Sequence, residues 1–270
     1  MPDSHHTWIQ TTVNFTDPSA AEYAGVHHLA PELDGLAWFL IRKGAWRCRI
    51  HLPQDVEERA ATEASVTQRL DDLATTGTIT SWTRAVYEPE TRAFGGTPAM
   101  ATAHALFCAD THHSLRFLAQ TGSERDRRRE ISFLLCRTLM RAAGLDRYEQ
   151  GDVWDRVATT RPLPATGPRL PEGIHRQIHS LLSVAPGPEA AHFATGGAFD
   201  GHAPWARTFQ GCGRDLAELH TQGRLKRGLR AILAHHILFH WNRLGVPGPA
   251  QAVLAHTAAQ LVFDPETVPL

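Results

Sequence analysis

Residues 36–52 read LAWFLIRKGAWRCRIHL, and this stretch has the pattern of a β-hairpin. Residues 36–41 form an apolar run, residues 46–52 alternate between apolar and basic side chains, and Gly44 lies in the short connection between them. Successive side chains of a strand point to opposite faces. We therefore expect a strand with an apolar face turned to the core and a basic face on the other side, made of Arg47, Arg49 and His51.

The segments around the hairpin predict an α+β fold. Residues 78–87 are rich in β-branched and aromatic side chains, which predicts a third strand. Helical patterns predominate in the other segments, which are 56–75, 98–120, 125–143, 150–159, 172–184, 188–194, 206–222, 224–244 and 249–262. We expect an antiparallel sheet near the N-terminus and a mostly helical remainder. The length favours a single domain over residues 1–270, with the proline-rich residues 161–171 as a loop within it.

Composition and charge exclude several classes of protein. The net charge of -1 gives no basic field for a nucleic-acid backbone. No apolar run approaches the ~20 residues of a membrane span, and residues 1–8 lack the core of a signal peptide, so we expect a cytoplasmic protein. The four cysteines form no CxxC pair, which argues against a disulfide framework and a cysteine-rich zinc site.

The helix predicted over residues 98–120 carries polar side chains within an apolar stripe. His104 and Thr111 share this stripe with Phe107 and Leu115 at helical spacing. A single histidine in such a place is more often a hydrogen-bonded core residue than a catalyst. Both interpretations of His104 therefore stay open.

The helix predicted over residues 224–244 carries the clearest indication of an active site. His236, His240 and Arg243 fall within its inward apolar stripe, whereas His235 and Asn242 project elsewhere. Two histidines four residues apart can bind zinc, but neither a nearby glutamate nor a third ligand is evident from the spacing. Two titratable groups beside a cation on a buried face favour an active site without metal.

A loop rich in turn residues precedes the helix at 98–120. Glu88 and Glu90 flank Pro89, and paired carboxylates can exchange protons with a substrate. Pairing with arginines such as Arg47, Arg49 or Arg243 is the interpretation that we prefer, since it balances charge. The double glycine that follows in the loop indicates a tight turn, and the chain has neither a phosphate-binding loop nor a nucleophile elbow.

Three stretches together resemble one protein family. They are the hairpin WFLIRKGAWRCRIHL, the loop and helix YEPETRAFGGTPAMATAHALFCADT, and the late helix AHHILFHWNRLG, in that order along the chain. They resemble the elimination domain at the C-terminus of class I lantibiotic dehydratases and the stand-alone thiopeptide-type bacteriocin biosynthesis proteins. The resemblance implies an elimination-domain-like fold and a ribosomally synthesised precursor peptide as substrate, with a leader and a dehydrated, azole-bearing core.

The resemblance implies two alternative activities. One is elimination of glutamate from glutamylated serine or threonine, and the other is pyridine synthesis, a formal [4+2] aza-cycloaddition between two dehydroalanines that is followed by loss of water and leader. Elimination domains usually carry an arginine before an aromatic residue and two glycines, and a histidine four residues before an Asn-Arg pair. Ala93 and Leu238 occupy these places here, whereas Arg47 and Arg49 match the paired strand arginines of the family. The differences favour the pyridine synthase.

The pyridine synthase interpretation assigns roles to ten residues. The predicted catalytic residues are Tyr87, His104, His240 and Arg243; the predicted substrate-binding residues are Arg47, Arg49, Glu88, Glu90, Thr111 and His236. The reaction requires neither a cofactor nor a metal ion. We expect neither nucleic acid nor membrane as a partner, and the sequence leaves homodimer formation open. A non-catalytic module that binds the leader, with the edge of the sheet as its docking strand, is a further alternative.

Overall fold

The structure is a computed structural model that describes residues 7–120, 127–163 and 173–264. The chain divides into two compact units, residues 1–89 with 107–126 and residues 90–106 with 127–270. The single domain over residues 1–270 stays a prediction, because a compact unit need not fold on its own. The predicted loop at 161–171 lies outside the described residues from position 164 onward.

The first unit is built on a four-stranded antiparallel sheet with the strand order β2-β3-β1-β4. The strands are β1 (Trp8–Phe15), β2 (Trp38–Lys43), β3 (Ala45–His51) and β4 (Ile79–Val86). β2 and β3 form the predicted hairpin, and Gly44 at its turn has a φ of +74°, which glycine adopts without strain. β4 confirms the third predicted strand.

The central strand β1 was not predicted from the sequence. Its inward side chains are Ile9, Thr11 and Val13, which are buried beneath the sheet. The middle one of the three is polar, so the alternation of apolar residues is interrupted and the signal for a strand is weak. Hydrogen bonding to β3 on one side and β4 on the other nevertheless places this segment inside the sheet.

The two faces of β3 are those that the sequence predicts. Trp46, Cys48 and Ile50 are buried, whereas Arg47 is exposed and Arg49 is half-buried. Burial raises the pKa of the Cys48 thiol to about 12, so this thiol stays neutral in the core of the sheet.

Helices cover one face and one edge of this sheet. They are α1 (Ala21–Ala24), a π-helical turn (Gly25–Leu29), α2 (Ala30–Glu32), α3 (Val56–Thr75) and the second half of α4 (Thr97–Gln120). α3 has the predicted bounds, and the side chain of Asp55 accepts hydrogen bonds from the first turn as an N-cap. The Thr111 hydroxyl of α4 accepts a hydrogen bond of 3.2 Å from the backbone nitrogen of Leu40, in the edge strand β2.

The second unit is helical. After the first half of α4 it contains α5 (Arg128–Ala142), α6 (Arg147–Thr160), α7 (Ile174–Ser183), α8 (Ala203–Thr221), α9 (Leu229–Leu244) and α10 (Gly248–Phe263). Together with the sheet, these helices confirm the predicted α+β class. None of the described helices is both long and apolar enough to cross a membrane.

Two helix predictions in this unit were wrong. Residues 188–194 form a succession of turns, because the short segment lies between Gly187, with a φ of +138°, and the turn at Gly197. α9 begins at Leu229 and not at Arg224, because Gly228, the N-cap residue, has an extended backbone conformation. Its apolar stripe alone does not indicate where the helix starts.

The core of the second unit depends on stacked aromatic rings and one close helix contact. The ring of Trp154 in α6 lies between Phe133 of α5, at 4.9 Å, and Trp241 of α9, at 6.0 Å. α8 meets α5 at Gly213, where a Cβ atom would overlap the carbonyl oxygen of Leu139. The absence of a side chain at Gly213 therefore sets the distance between the two helices.

Candidate functional site

A loop at residues 90–96 lies on the N-terminal half of α9 in the second unit. The backbone nitrogen of Lys226 donates a hydrogen bond of 2.8 Å to the carbonyl oxygen of Gly95, and Nη1 of Arg227 donates one of 2.7 Å to that of Ala93. Gly95 and Gly96 have φ values of +94° and +106°, which confirms the tight turn predicted at the double glycine. The loop is therefore held by the segment that precedes α9.

Phe94 anchors this loop in the core. Its side chain is fully buried, and its ring meets those of His235, His236 and Phe239 edge to face, at centroid distances of 4.8, 4.9 and 5.0 Å. Contacts of this kind stabilise aromatic pairs beyond the area that they bury. Two adjacent imidazoles of α9 thus take their orientation from one phenylalanine.

The loop also places a carboxylate against α9. Oε2 of Glu90 lies 2.8 Å from Nε2 of His235, and the two side chains are 53% and 22% exposed. The contact places an imidazole and a carboxylate side by side, and both groups can form hydrogen bonds to a substrate. The sequence indicated Glu90 but not His235, which lies beside the inward stripe of the helix. The predicted pairing of Glu88 or Glu90 with an arginine stays a prediction.

A cavity of about 400 Å³ opens beside His235. Charged side chains of both signs line it, namely Asp152, Asp155, Arg156 and Arg227, together with the imidazole of His235. Arg230, which precedes His235 on α9, forms an ion pair with Asp152. Hydrogen-bond donors and acceptors arranged in this way can bind the amide groups of a peptide. We take this cavity and the pair of Glu90 and His235 as the candidate site of the second unit.

The predicted polar residues of the inward stripe lie deeper in the same unit. His236, His240 and Arg243 are 2%, 1% and 1% exposed, which confirms the inward face of α9. The ring of His240 contacts Phe209 at 4.8 Å and lies 5.9 Å from Trp205. His104, in the first half of α4, is half-buried. Within the described residues, no three His, Cys, Asp or Glu side chains cluster closely enough to hold a metal ion.

The other predicted site residues belong to the first unit. Tyr87 is 7% exposed, and the Arg49 guanidinium lies over its ring at 5.4 Å and donates a hydrogen bond of 2.8 Å from Nε to Oε1 of Gln10. Arg47 and Glu88 are exposed. The structure therefore brings Arg49 and Tyr87 together, whereas the Thr111 hydroxyl binds the backbone of β2. Their roles toward a substrate stay predictions.

His51 completes the basic face around Arg49. Its ring lies 4.9 Å from Trp8, and burial lowers the pKa of this imidazole. Phe39 lies at the same place, with its ring 5.8 Å from that of Tyr87. The Arg49 guanidinium therefore lies against the buried aromatic rings of Phe39 and Tyr87, an arrangement that favours cation–π contacts.

We expect Gly95→Ala to destabilise the protein more than Gly44→Ala. Both positions have positive φ, so both variants incur backbone strain. At Gly95 the new Cβ would also lie 2.5 Å from Cδ1 of Ile232, whereas nothing lies within 4 Å at Gly44. Overpacking should lower the free energy of unfolding by a further ~1–3 kcal/mol, measured by urea unfolding.

The clash can be tested separately with Ile232→Val, which removes Cδ1. If the contact is responsible, the double variant Gly95→Ala with Ile232→Val recovers part of the loss. Strictly additive effects of the two substitutions would contradict this explanation.

Comparisons with known proteins agree with this architecture. A family model described as lantibiotic biosynthesis dehydratase C-term matches residues 8–262. The chain is similar to the tRNA-dependent lantibiotic dehydratase MibB from Microbispora sp. 107891, with a TM-score of 0.66 and 14% identity over 96% of this chain and 28% of that one. It is also similar to TbtD, a pyridine synthase from thiomuracin biosynthesis, with a TM-score of 0.59 and 16% identity over 96% of this chain and 98% of that one. No curated protein sequence matches significantly.

Proposed function

The chain belongs to the family of lantibiotic biosynthesis dehydratase C-terminal domains, and we propose that within this family it acts as a thiopeptide pyridine synthase. Its substrate is a ribosomally synthesised precursor peptide with a leader and a dehydrated, azole-bearing core. The enzyme joins two dehydroalanines of one peptide by a formal [4+2] aza-cycloaddition. Loss of water and of the leader then leaves a macrocycle closed by a pyridine.

The two structural similarities define the alternatives that the proposal has to separate. The chain spans 28% of the length of the dehydratase MibB and 98% of that of the pyridine synthase TbtD, and it shares its fold with both.

The observation that carries the proposal concerns two positions of the second unit. Ala93 and Leu238 stand where the resemblance to elimination domains leads us to expect an arginine and a histidine. The carbonyl oxygen of Ala93 binds Arg227, and Leu238 is 7% exposed on α9. Neither side chain can bind the carboxylate of a departing glutamate or remove a proton. Elimination of glutamate needs both functions, so their loss favours cyclisation.

Cyclisation makes smaller demands on the side chains of the enzyme. Both reacting alkenes belong to one peptide, so a binding site that orients them can lower the activation free energy by up to ~7–11 kcal/mol. The atoms balance without an oxidant, because the cycloaddition is followed by two eliminations, of water and of the leader. Proton transfers that favour the iminol form of one amide and expel the two leaving groups are then sufficient.

The residues predicted from the sequence take these roles in the proposal. A phenol, imidazoles and a guanidinium can transfer the protons and stabilise developing charge, and these groups are Tyr87, His104, His240 and Arg243. The residues predicted to bind the peptide are Arg47, Arg49, Glu88, Glu90, Thr111 and His236. We add His235 to this second set, because its imidazole contacts Glu90 at the mouth of the charged cavity.

A single comparison of substrates tests the proposal. The protein is incubated without any cofactor with a leader-bearing peptide that contains two dehydroalanines, and separately with the same peptide carrying a glutamylated serine. Mass spectrometry should detect a macrocycle and the free leader from the first peptide and no change in the second. Loss of glutamate from the second peptide would support the alternative that the retained Arg47 and Arg49 favour, an elimination subunit of a split dehydratase. Binding of the leader without reaction of either peptide would favour a non-catalytic module.

A further inference from the structure

A second cavity of the second unit lies away from the loop at 90–96 and from α9. It has a volume of about 550 Å³ and is lined by the ends of α5, α7 and α10 and the start of α6. Its cationic or polar side chains are Arg137, Arg141, Arg147, Gln150 and His179. The described lining includes neither aspartate nor glutamate, so the cavity carries a strong excess of positive charge.

Arg137 is the buried member of this group, at 8% exposure. Its Nη1 donates hydrogen bonds of 2.6 Å to the carbonyl oxygens of Leu181 and Val184, at the end of α7. Its Nε has no hydrogen-bond acceptor among the described residues. Burial and the neighbouring Arg147 lower the pKa of Arg137 to about 10. Capping of α7 therefore uses only part of the guanidinium and leaves its positive charge without a described counterion.

Two further arginines add to this charge. Arg141 lies one turn after Arg137 on α5, and like charges at this spacing destabilise a helix. Arg147 begins α6, and its Nη2 donates a hydrogen bond of 3.3 Å to the carbonyl oxygen of Leu261 near the end of α10. Within the described residues, none of the three arginines forms an ion pair with a carboxylate. Such a cluster attracts an external anion.

The rest of the lining indicates what kind of anion fits. Apolar side chains form the remaining wall, among them Leu182, Val184, Pro186 and Leu261. A bare inorganic ion would leave this wall and most of the volume unused. Guanidinium groups match the planar geometry of a carboxylate. We propose that the cavity binds a carboxylate of an acidic peptide segment, whose neighbouring apolar side chain packs against this wall.

The preference for an anion is independent of the proposed function, whereas the choice of a peptide rests on it. The full chain is titrated into a fluorescein-labelled hexapeptide of alternating leucine and glutamate, and binding is followed by fluorescence anisotropy. The same peptide with glutamine in place of glutamate removes the charge and keeps the apolar side chains. The test variant is Arg141→Gln with Arg147→Gln. The matched control is Arg214→Gln, an exposed arginine of α8 outside the cavity.

We expect the glutamate peptide to bind at least about tenfold more tightly than the glutamine peptide, since several charge-assisted hydrogen bonds are lost in the latter. The double variant should abolish this difference, and Arg214→Gln should retain it. Equal binding of the two peptides, or a difference that survives in the double variant, would overturn the proposal. Thermal unfolding of each variant shows whether a loss of binding arises from misfolding. If the double variant is misfolded, the Arg141→Gln single variant is used in its place.

A competition arm distinguishes a peptide from a free organic acid. If glutarate displaces the glutamate peptide with an inhibition constant equal to the Kd of that peptide, the cavity is a site for small acids and the peptide part of the proposal is wrong. Selective binding of the glutamate peptide by a protein that fails to cyclise its substrate would contradict the proposed function and support the anion site. Cyclisation by a protein that does not prefer the glutamate peptide would support the proposed function and contradict the anion site.

Discussion

Replacing His240 with glutamine should lower the rate of macrocycle formation by about 10²–10⁴-fold, the usual contribution of a group that transfers a proton. His240 is almost fully buried on α9, where its ring contacts Phe209 of α8, and glutamine retains a polar group of similar volume there. Affinity for the leader should change less than twofold, because binding of the leader does not use this proton. Single-turnover mass spectrometry measures the rate, and fluorescence anisotropy with a labelled leader measures the affinity.

His220→Gln serves as the control for this experiment. His220 is exposed at the end of α8, so its replacement should leave both quantities unchanged. An equal loss of rate and of leader affinity in His240→Gln would instead assign His240 to the core. A midpoint of thermal unfolding so low that His240→Gln is largely unfolded at the assay temperature would lead to the same conclusion.

The second large effect is expected on stability, at the contact between α8 and α5. In Gly213→Ala the new methyl group would overlap the carbonyl oxygen of Leu139 and lie 2.8 Å from Cβ of Ala142. Backbone atoms cannot rotate away as a side chain can, so the helices must separate. We expect the free energy of unfolding to fall by ~3 kcal/mol, at the upper end of what overpacking costs. Urea unfolding followed by circular dichroism measures this change.

Gly211 provides a matched control on the same helix. It lies two residues before Gly213, and nothing is within 4 Å of a Cβ at that position. Gly211→Ala should therefore raise the free energy of unfolding by ~0.5–1 kcal/mol, since alanine is the better helix former. Stabilisation by Gly213→Ala as well would show that α8 and α5 have room for a methyl group between them, which would contradict the close contact at Gly213.

Local patterns were sufficient to predict much of the fold. The alternation in residues 46–52 places Trp46, Cys48 and Ile50 in the core of the sheet, and the period of α9 places His236, His240 and Arg243 inward, as observed. The family itself was correctly inferred from three motifs. Each of these inferences depends on neighbours along the chain, which a single sequence displays directly.

Features that depend on distant partners were missed. β1 owes its place to pairing with β3 and β4, which compensates for the polar Thr11 in its inward row. The periodicity of α9 predicts no role for His235, which lies off the inward stripe, yet the loop that Phe94 anchors brings Glu90 to it. A contact between residues 145 positions apart leaves no trace in local periodicity. The adjacent histidines at 235 and 236 are a local sign that α9 carries imidazoles on two of its faces.

The hydrogen bond between Thr111 and Leu40 has a consequence for how the sheet can grow. Because the Thr111 hydroxyl already accepts a hydrogen bond from the Leu40 amide at the edge of β2, an added strand would have to break this bond to pair there. β4 forms the opposite border of the described sheet, and its Val86 is 83% exposed. We therefore expect a segment that adds to the described sheet as a further strand to pair with β4 rather than with β2.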